Sequence, residues 1–450
     1  MSSSTQVEAE ATGGVPRRRI VVASMVGTSI EFYDFYIYAT AAVTVFPHLF
    51  FPKSDATTAL LASLATFGLA FVARPVGSIL FGHFGDRVGR KATLIGSLLT
   101  MGIATFLIGV LPTYAMVGIL APILLAILRF CQGLGLGGEW SGAALLATET
   151  AAPGKRAWAA MWPQLGAPIG FFIANGFFLI LTLTMGHDNA NPNPDGPFLS
   201  WGWRVPFLLS AIMVMIGLYV RLRLEETPVF ARAVARGQKV KTPLATVFRT
   251  SWRALIIGTF VMVGTYTLFY LMTTWILSYA TGPAGPNALG WKYSDFLVLQ
   301  LVAVLFFAAG VPVSGRLADR FGRRSTLTVI TIAIMVFGLT FGFALNRDTI
   351  TEGSMLVFLS IGMLLMGLTF GPMSAVLPEL FPTNVRYTGS GISYNTASIL
   401  GAAVAPFIAV WLVKQFGVGW VGIYLLIAAG LTLIALLIMK ETRNRDLDAV

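Results

Sequence analysis

Glu31 and Asp34 stand three residues apart in an otherwise apolar stretch that follows Arg17-Arg18-Arg19. On a helix that spacing puts both carboxylates on one face. At ~1.5 Å rise per residue they lie about 18 and 22 Å beyond Arg19, the depth of a bilayer centre. A charge at that depth costs at least about 2.5 kcal/mol, so an acid there is read as functional by default. Desolvation and a like-charged neighbour both favour the neutral acid, so either residue can carry a coupling proton. The structural alternative is a hydrogen-bonded acid that ties helices together.

A cation is placed to match. Arg129, Gln132 and Glu139 fall on one face of a Gly-rich segment, Arg129-Phe-Cys-Gln132-Gly133-Leu-Gly135-Leu-Gly137-Gly138-Glu139-Trp140. Counted from the opposite membrane face near Ala115, Arg129 is about 20 Å deep, level with Asp34. The glycines let a neighbouring backbone approach closely. A buried Arg needs an anion, and Asp34 or Glu31 is the expected partner. In this scheme protonation of the acid frees Arg129 to hold a substrate carboxylate, and deprotonation restores the pair. A permanent structural ion pair is the alternative. Glu139 is expected as a second proton site or a helix tie.

Other polar residues interrupt apolar runs. Arg74-Pro75 either lines a pathway or snorkels to the interface. Tyr266, Tyr270 and Thr273 or Thr274 form a helical stripe, and Gln164, Asn175, Gln300 and Asn395 are isolated polar groups. Such groups are more often interhelical hydrogen bonds than ligand contacts. Arg74, Gln132, Tyr266, Gln164 and Asn395 are the substrate-binding candidates beside Arg129. The three histidines, His48, His187 and His83, are far apart in sequence, and the chain has one cysteine, Cys131. No metal or cofactor motif is read from them. The turn-rich segment 185–203, with Asn189, Asn191, Asn193 and Asp195, is expected to be a solvated external loop.

These residues need elements to hold them, and the elements repeat. Gly82-His-Phe-Gly-Asp86-Arg87-Val-Gly89-Arg90-Lys91 recurs as Gly315-Arg-Leu-Ala-Asp319-Arg320-Phe-Gly322-Arg323-Arg324. Glu149 and Arg156 recur as Glu379 and Arg386, and Glu226-Thr227 as Glu441-Thr442. The order is kept, which indicates two homologous halves. The acids and arginines of these repeats are expected to form a latch that holds one conformation and releases in another. Ordinary positive-inside charge is the bland alternative.

Composition sets the solvent. Only 11% of the 450 residues are charged and 56% are hydrophobic, against about 25% charge in soluble chains. Twelve apolar segments reach the ~20 residues that cross a bilayer, so the predicted fold is all-α with twelve transmembrane helices in two six-helix bundles. With the N-terminus cytoplasmic, 24 Lys and Arg fall on the cytoplasmic side and five on the other, with Arg74 and Arg129 inside helices. That split predicts both termini inside and accounts for the net charge of +11 without nucleic acid. The expected organisation is a disordered tail over 1–18, a bundle over 19–222, a cytoplasmic linker over 223–252, a second bundle over 253–440 and a tail over 441–450. Two halves with a midplane site between them are a common transporter plan.

The motifs go further. Glu31-Phe-Tyr-Asp34-Phe, Phe71-Val-Ala-Arg74-Pro75-Val-Gly77, the Asp86-Arg87 loop, Arg129-Phe-Cys-Gln132-Gly133 with Gly137-Gly138-Glu139-Trp140, Trp201-Gly-Trp203-Arg204 and Glu379-Leu-Phe-Pro382 through Arg386-Tyr-Thr-Gly389 resemble the metabolite:proton symporter family of the major facilitator superfamily. The resemblance runs from about residue 19 to 443. It implies proton symport across a bacterial inner membrane, and it supports Asp34 with Arg129 as the coupled pair. Ser141 departs from the glycine many members carry after the Gly-Gly-Glu-Trp run.

The expected function is proton-coupled import of a small organic acid or zwitterion by alternating access. Facilitative uniport or proton-driven export is the alternative. A channel would need no paired halves, and an enzyme would need a catalytic constellation that is not found. The expected partners are the solute, a proton and the lipid bilayer, with the chain acting as a monomer.

Overall fold

The computed structural model describes residues 17–88, 90–137, 140, 144–145, 147–148, 151, 154–222, 243–382 and 385–443. Among them there are twelve long helical passages and no strand, only an isolated bridge between Gly285 and Ala288. They are α1 (Arg17–Thr44), α2 (Ala56–Val88), α3 (Arg90–Gly109), α4 (Leu120–Leu136), α5 (Arg156–Gln164 and Gly166–Met185), α6 (Arg204–Leu222), α7 (Trp252–Tyr270, Leu271–Trp275 and Ile276–Thr281), α8 (Tyr293–Phe321), α9 (Arg323–Leu339), α10 (Glu352–Glu379), α11 (Arg386–Ser398, Ile399–Ala403 and Ala405–Phe416) and α12 (Gly419–Ile438). Eight of them have the length and hydropathy to cross a membrane, and Ile95–Gly109 and Leu120–Leu136 are shorter apolar helices.

The two halves repeat in packing as they do in sequence. α1 packs on α5 and α6, α2 on α4, and α3 on α4 and α6. Six helices later α7 packs on α11 and α12, α8 on α10, and α9 on α10 and α12. The halves meet where α5 lies against α8 and α10, and where α2 lies against α11. The outer surface is apolar, with Ile103, Leu183, Val329, Ile361 and Ile427 exposed. Such a surface suits acyl chains. Polar side chains such as Asp34, Arg129, Gln132 and Gln300 are fully buried instead.

Local sequence explains the breaks. Pro163 interrupts α5, and next to the break the Thr28 hydroxyl of α1 donates to the Pro163 carbonyl at 2.7 Å. A neighbouring helix thus adds a hydrogen bond where the α5 ladder is interrupted, the kind of compensation a membrane interior allows. The repeated signature 315–324 lies at a helix junction: α8 continues through Arg316, Asp319 and Arg320 to Phe321. Gly322 then turns the chain at φ 98°, a left-handed conformation that glycine adopts without strain, and α9 begins at Arg323. Asp319 near the end of α8 and Arg323 at the start of α9 are thereby brought within 3.1 Å of each other. α7 and α11 each carry one π segment, Leu271–Trp275 and Ile399–Ala403, a distortion frequent at functional sites.

Candidate functional site

α4 and α2 touch backbone to backbone. A Cβ added at Gly133 would collide with the Ala70 carbonyl, and one at Gly137 with the Arg74 carbonyl. Glycine at these positions is what lets α4 bring Arg129 beside α2. Ser78 donates a hydrogen bond to the Gly137 carbonyl at the same seam.

Asp34 is fully buried on α1. Its carboxylate accepts from the Ser210 hydroxyl of α6 at 2.6 Å and from the Thr105 hydroxyl of α3 at 3.3 Å. Arg129 does not meet it. Its Nη1 donates to Gln132 Oε1, and its Nε and Nη2 donate to the Phe67 carbonyl at 3.4 Å each. The guanidinium also lies over the rings of Tyr38, Phe35 and Phe67, at 3.9, 4.6 and 5.1 Å. The expected direct Asp34–Arg129 pair is therefore corrected to a relay. Gln132 Nε2 donates to Thr105 Oγ1 at 2.8 Å and to the Asp34 carbonyl at 3.4 Å, while Gln132 Oε1 holds the arginine. The physical reason is that two serine and threonine hydroxyls satisfy the acid, and aromatic faces with a carbonyl and an amide satisfy the cation.

Arg74 is resolved toward the interior: it is buried rather than snorkelling. Its guanidinium lies over Phe71 and Phe35, at 4.9 and 5.1 Å. Among the described residues its Nε has no hydrogen-bond partner, and no carboxylate stands within ion-pair distance. Glu31 and the phenols of Tyr266, Tyr394 and Tyr270 lie within its electrostatic reach. Tyr266 stacks parallel to Tyr270 at 6.4 Å and meets Tyr394 edge-on at 5.4 Å. Tyr270 in turn meets Phe35, Phe67 and Phe71 of the other half. The buried Tyr36 hydroxyl has no hydrogen-bond partner among the described residues. Two arginines and a ring of phenols thus face each other where the bundles meet.

Gln164 and Asn395 sit nearer one end of this interface and are engaged across it. Gln164 Nε2 donates to the Phe370 carbonyl at 3.1 Å, and Asn395 Nδ2 donates to Ser78 Oγ at 2.8 Å. Beside them Trp140 stacks on Tyr394 at 3.8 Å and 7°. Beyond that layer is a charged cluster. Asp319 accepts from Arg323 Nη1 at 3.1 Å and from the first N–H groups of α5, Ala157 at 3.1 Å and Trp158 at 2.9 Å. A carboxylate on a helix N-terminus is favoured by the dipole. Arg323 also forks onto Glu379, with Nε–Oε2 at 3.1 Å and Nη2–Oε1 at 3.0 Å. Arg156 lies within electrostatic reach of Glu379. Arg386 is buried nearby at the start of α11, and the Arg320 guanidinium lies over Phe321. The side chains of Asp86, Arg87 and Arg90, and residues Glu139 and Glu149, lie outside the described residues.

Sequence reasoning did not find Ser210, Thr105 or Tyr394. A hydroxyl in an apolar helix carries no mark of its partner. The aromatic run around the acids, Phe32-Tyr33 and Phe35-Tyr36 with Tyr38, was the one legible signal of the cage. The expectation of a wholly solvated 185–203 loop is also corrected. Asn191, Asn193, Pro194 and Asp195 are at the surface, but His187 and Asn189 are buried. The structure further brings His48 and His187 within electrostatic reach of each other.

Twelve helices in two repeated bundles, with buried polar groups at their junction, define a membrane transporter of the major facilitator fold. The chain matches the family model described as "Sugar (and other) transporter" over residues 20–450. It belongs to that family. It is 57% identical over 433 residues to the inner membrane metabolite transport protein YhjE of Escherichia coli (strain K12), covering 96% of each chain. It is 35% identical to the shikimate transporter of the same organism, covering 95% of each. It is 33% identical to the proline/betaine transporter of Salmonella typhimurium, covering 96% of this chain and 85% of the relative. The solved proton:xylose symporter XylE, bound to 6-bromo-6-deoxy-D-glucose, superposes with a TM-score of 0.70 at 17% identity, over 96% of this chain and 98% of the other. At that identity the likeness speaks for the fold.

Proposed function

We propose that this chain is a proton-coupled importer of a small organic acid, working by alternating access in a bacterial inner membrane with both termini cytoplasmic. The observation that carries the reading is the pair of buried guanidiniums, Arg74 and Arg129, neither within ion-pair distance of a carboxylate among the described residues. A buried cation without an anion is costly, and a substrate carboxylate entering between the bundles relieves that cost. Arg74 is the primary anchor, because among the described residues its close partners are the aromatic faces of Phe71 and Phe35. Arg129 retains N–H donors beyond those spent on Gln132 and Phe67.

Asp34 is the coupling acid, with Glu31 as a second proton site on the same helix. Gln132 and Thr105 transmit the state of Asp34 to Arg129. When Asp34 is ionised it accepts from both hydroxyls. When it is protonated it must donate, one hydroxyl must turn, and the Gln132 amide that leans on Thr105 is released to move with Arg129. Tyr36, Tyr266 and Tyr394 supply hydroxyls to the solute. Gln164 and Asn395 act in closing the inner side, together with Asp319 and Arg323. The bundles 19–222 and 253–440 rock about this site as a monomer. The relatives that carry shikimate and proline or betaine are consistent with a carboxylate-bearing solute.

The test is a stabilisation screen of purified protein against organic acids, betaines and amino acids, followed by uptake in lightly buffered cells. A stabilising carboxylate whose uptake alkalinises the medium supports the reading. Uptake with no proton movement overturns the coupling, and a hit list without carboxylates overturns the substrate class.

A further inference from the structure

The segment between α5 and α6 crosses from one bundle to the other. Asn189 Nδ2 donates to Thr281 Oγ1 at 3.0 Å, and Thr281 is the last residue of the α7 passage. Two residues earlier the His187 ring stacks on Phe198 at 4.1 Å and 17° and meets the Tyr293 ring edge-on at 5.5 Å. Tyr293 is the first residue of α8. So a loop of the first half is fastened to both ends of the α7–α8 connection in the second half. His187, Asn189, Thr281 and Tyr293 are all buried, while the loop's tip at Asn191 to Asp195 reaches the surface apart from the half-buried Pro192.

The α5–α6 and α7–α8 connections emerge at the opposite end of the helices from Asp319. At that other end Asp319 of the second half grips the N-terminus of α5 in the first. The molecule is therefore fastened at both ends of one helix pair, α5 against α8. A solute between the bundles is enclosed, and one fastening must part for each opening.

We propose that residues 187–189 are the outer latch of the transport cycle, the counterpart of the Asp319 latch on the inner side. The proposal rests on the alternating-access reading but on neither the solute nor the proton. Opening outward breaks the Asn189–Thr281 hydrogen bond and slides the His187 ring off Tyr293. The interactions are few and neutral, so they hold the closed state by a small margin.

The chain's single cysteine makes the test direct. In a Cys131→Ser background, spin labels at Ser54→Cys and Thr349→Cys, both exposed on outer connections of opposite halves, report the outer separation in lipid nanodiscs. Asn189→Ala should raise the long-distance population several-fold. Thr281→Val, which keeps volume and removes the acceptor, should do the same and serves if the first variant misfolds. Asp319→Asn should leave that population unchanged or lower it. Identical distributions in the latch variants and the parent overturn the proposal. So does an equal lengthening in Asp319→Asn, which would mean general loosening. Failure here leaves the proton and solute assignments intact, and their failure leaves these distances unaffected.

Discussion

Asp34 and Arg129 do not touch; Gln132 stands between them, leaning on Thr105 and the Asp34 carbonyl with its amide nitrogen and holding Arg129 with its oxygen. An acid and a base that share an intermediary can exchange information without a direct ion pair. Desolvation makes each partner's state matter to its neighbours.

Asp34→Asn should abolish uphill accumulation while preserving counterflow exchange of the solute found by the screen. Asparagine keeps the size and can still accept from Ser210, but it cannot shed a proton. Proteoliposome uptake under an imposed pH gradient measures this, and unchanged accumulation would remove Asp34 from the coupling.

Gln132→Leu should uncouple the relay without removing either ionisable group. Solute exchange should persist while its dependence on external pH flattens. A pH profile matching the parent's would show that Gln132 does not carry the signal.

Arg74→Ala should weaken carboxylate binding at least about thirty-fold, since truncating one partner of a buried charged contact costs about 2 kcal/mol or more. Titration calorimetry on the purified variant reads this. Normal affinity would shift the anchor to Arg129 alone.

Glu379→Ala should destabilise the fold by about 3–5 kcal/mol, because it leaves the buried Arg323 guanidinium with Asp319 as its one remaining carboxylate among the described residues. The drop is read as a lower melting temperature in detergent. A melting temperature equal to the parent's would mean that the Arg323–Glu379 fork is not holding the inner face.

Acidifying the outer face should loosen the outer latch. Burial pushes the His187 imidazole down to about 4, reinforced by His48 and opposed by Asp188. A histidine that is neutral when packed and free to protonate when released binds more protons in the open state. The closed latch is therefore fully supported above the ordinary value of about 6.5, and loses stability as pH falls from there toward about 4. The Ser54–Thr349 separation, followed from pH 7.5 to pH 5, should lengthen in the parent and stay constant in His187→Phe.

The bilayer, the twelve passages and the duplication were legible because they depend on composition and period alone. So were Glu31, Asp34, Arg74 and Arg129, since a charge in an apolar run is conspicuous without coordinates. Their partners were not. Ser210 and Thr105 come from α6 and α3, and nothing in those helices distinguishes the hydroxyl that meets Asp34 from one that caps its own backbone, as Thr184 does with the Ile180 carbonyl. The signature at 315–324 was legible as a tight, charged junction with its acid near a helix end, but the N-terminus of α5 that Asp319 accepts from was not.

By itself the sequence determined the solvent, the number of helices and which residues are too costly to bury idly, because those follow from the free energy of moving side chains out of water. The tertiary structure decided how that cost is met: hydroxyls for Asp34, rings and an amide for Arg129, a helix end for Asp319, and a second bundle for a loop that reads as solvated. Hydrogen bonds and ring contacts act over a few ångströms, so they belong to whichever helices the packing makes adjacent, and linear spacing carries no record of that choice.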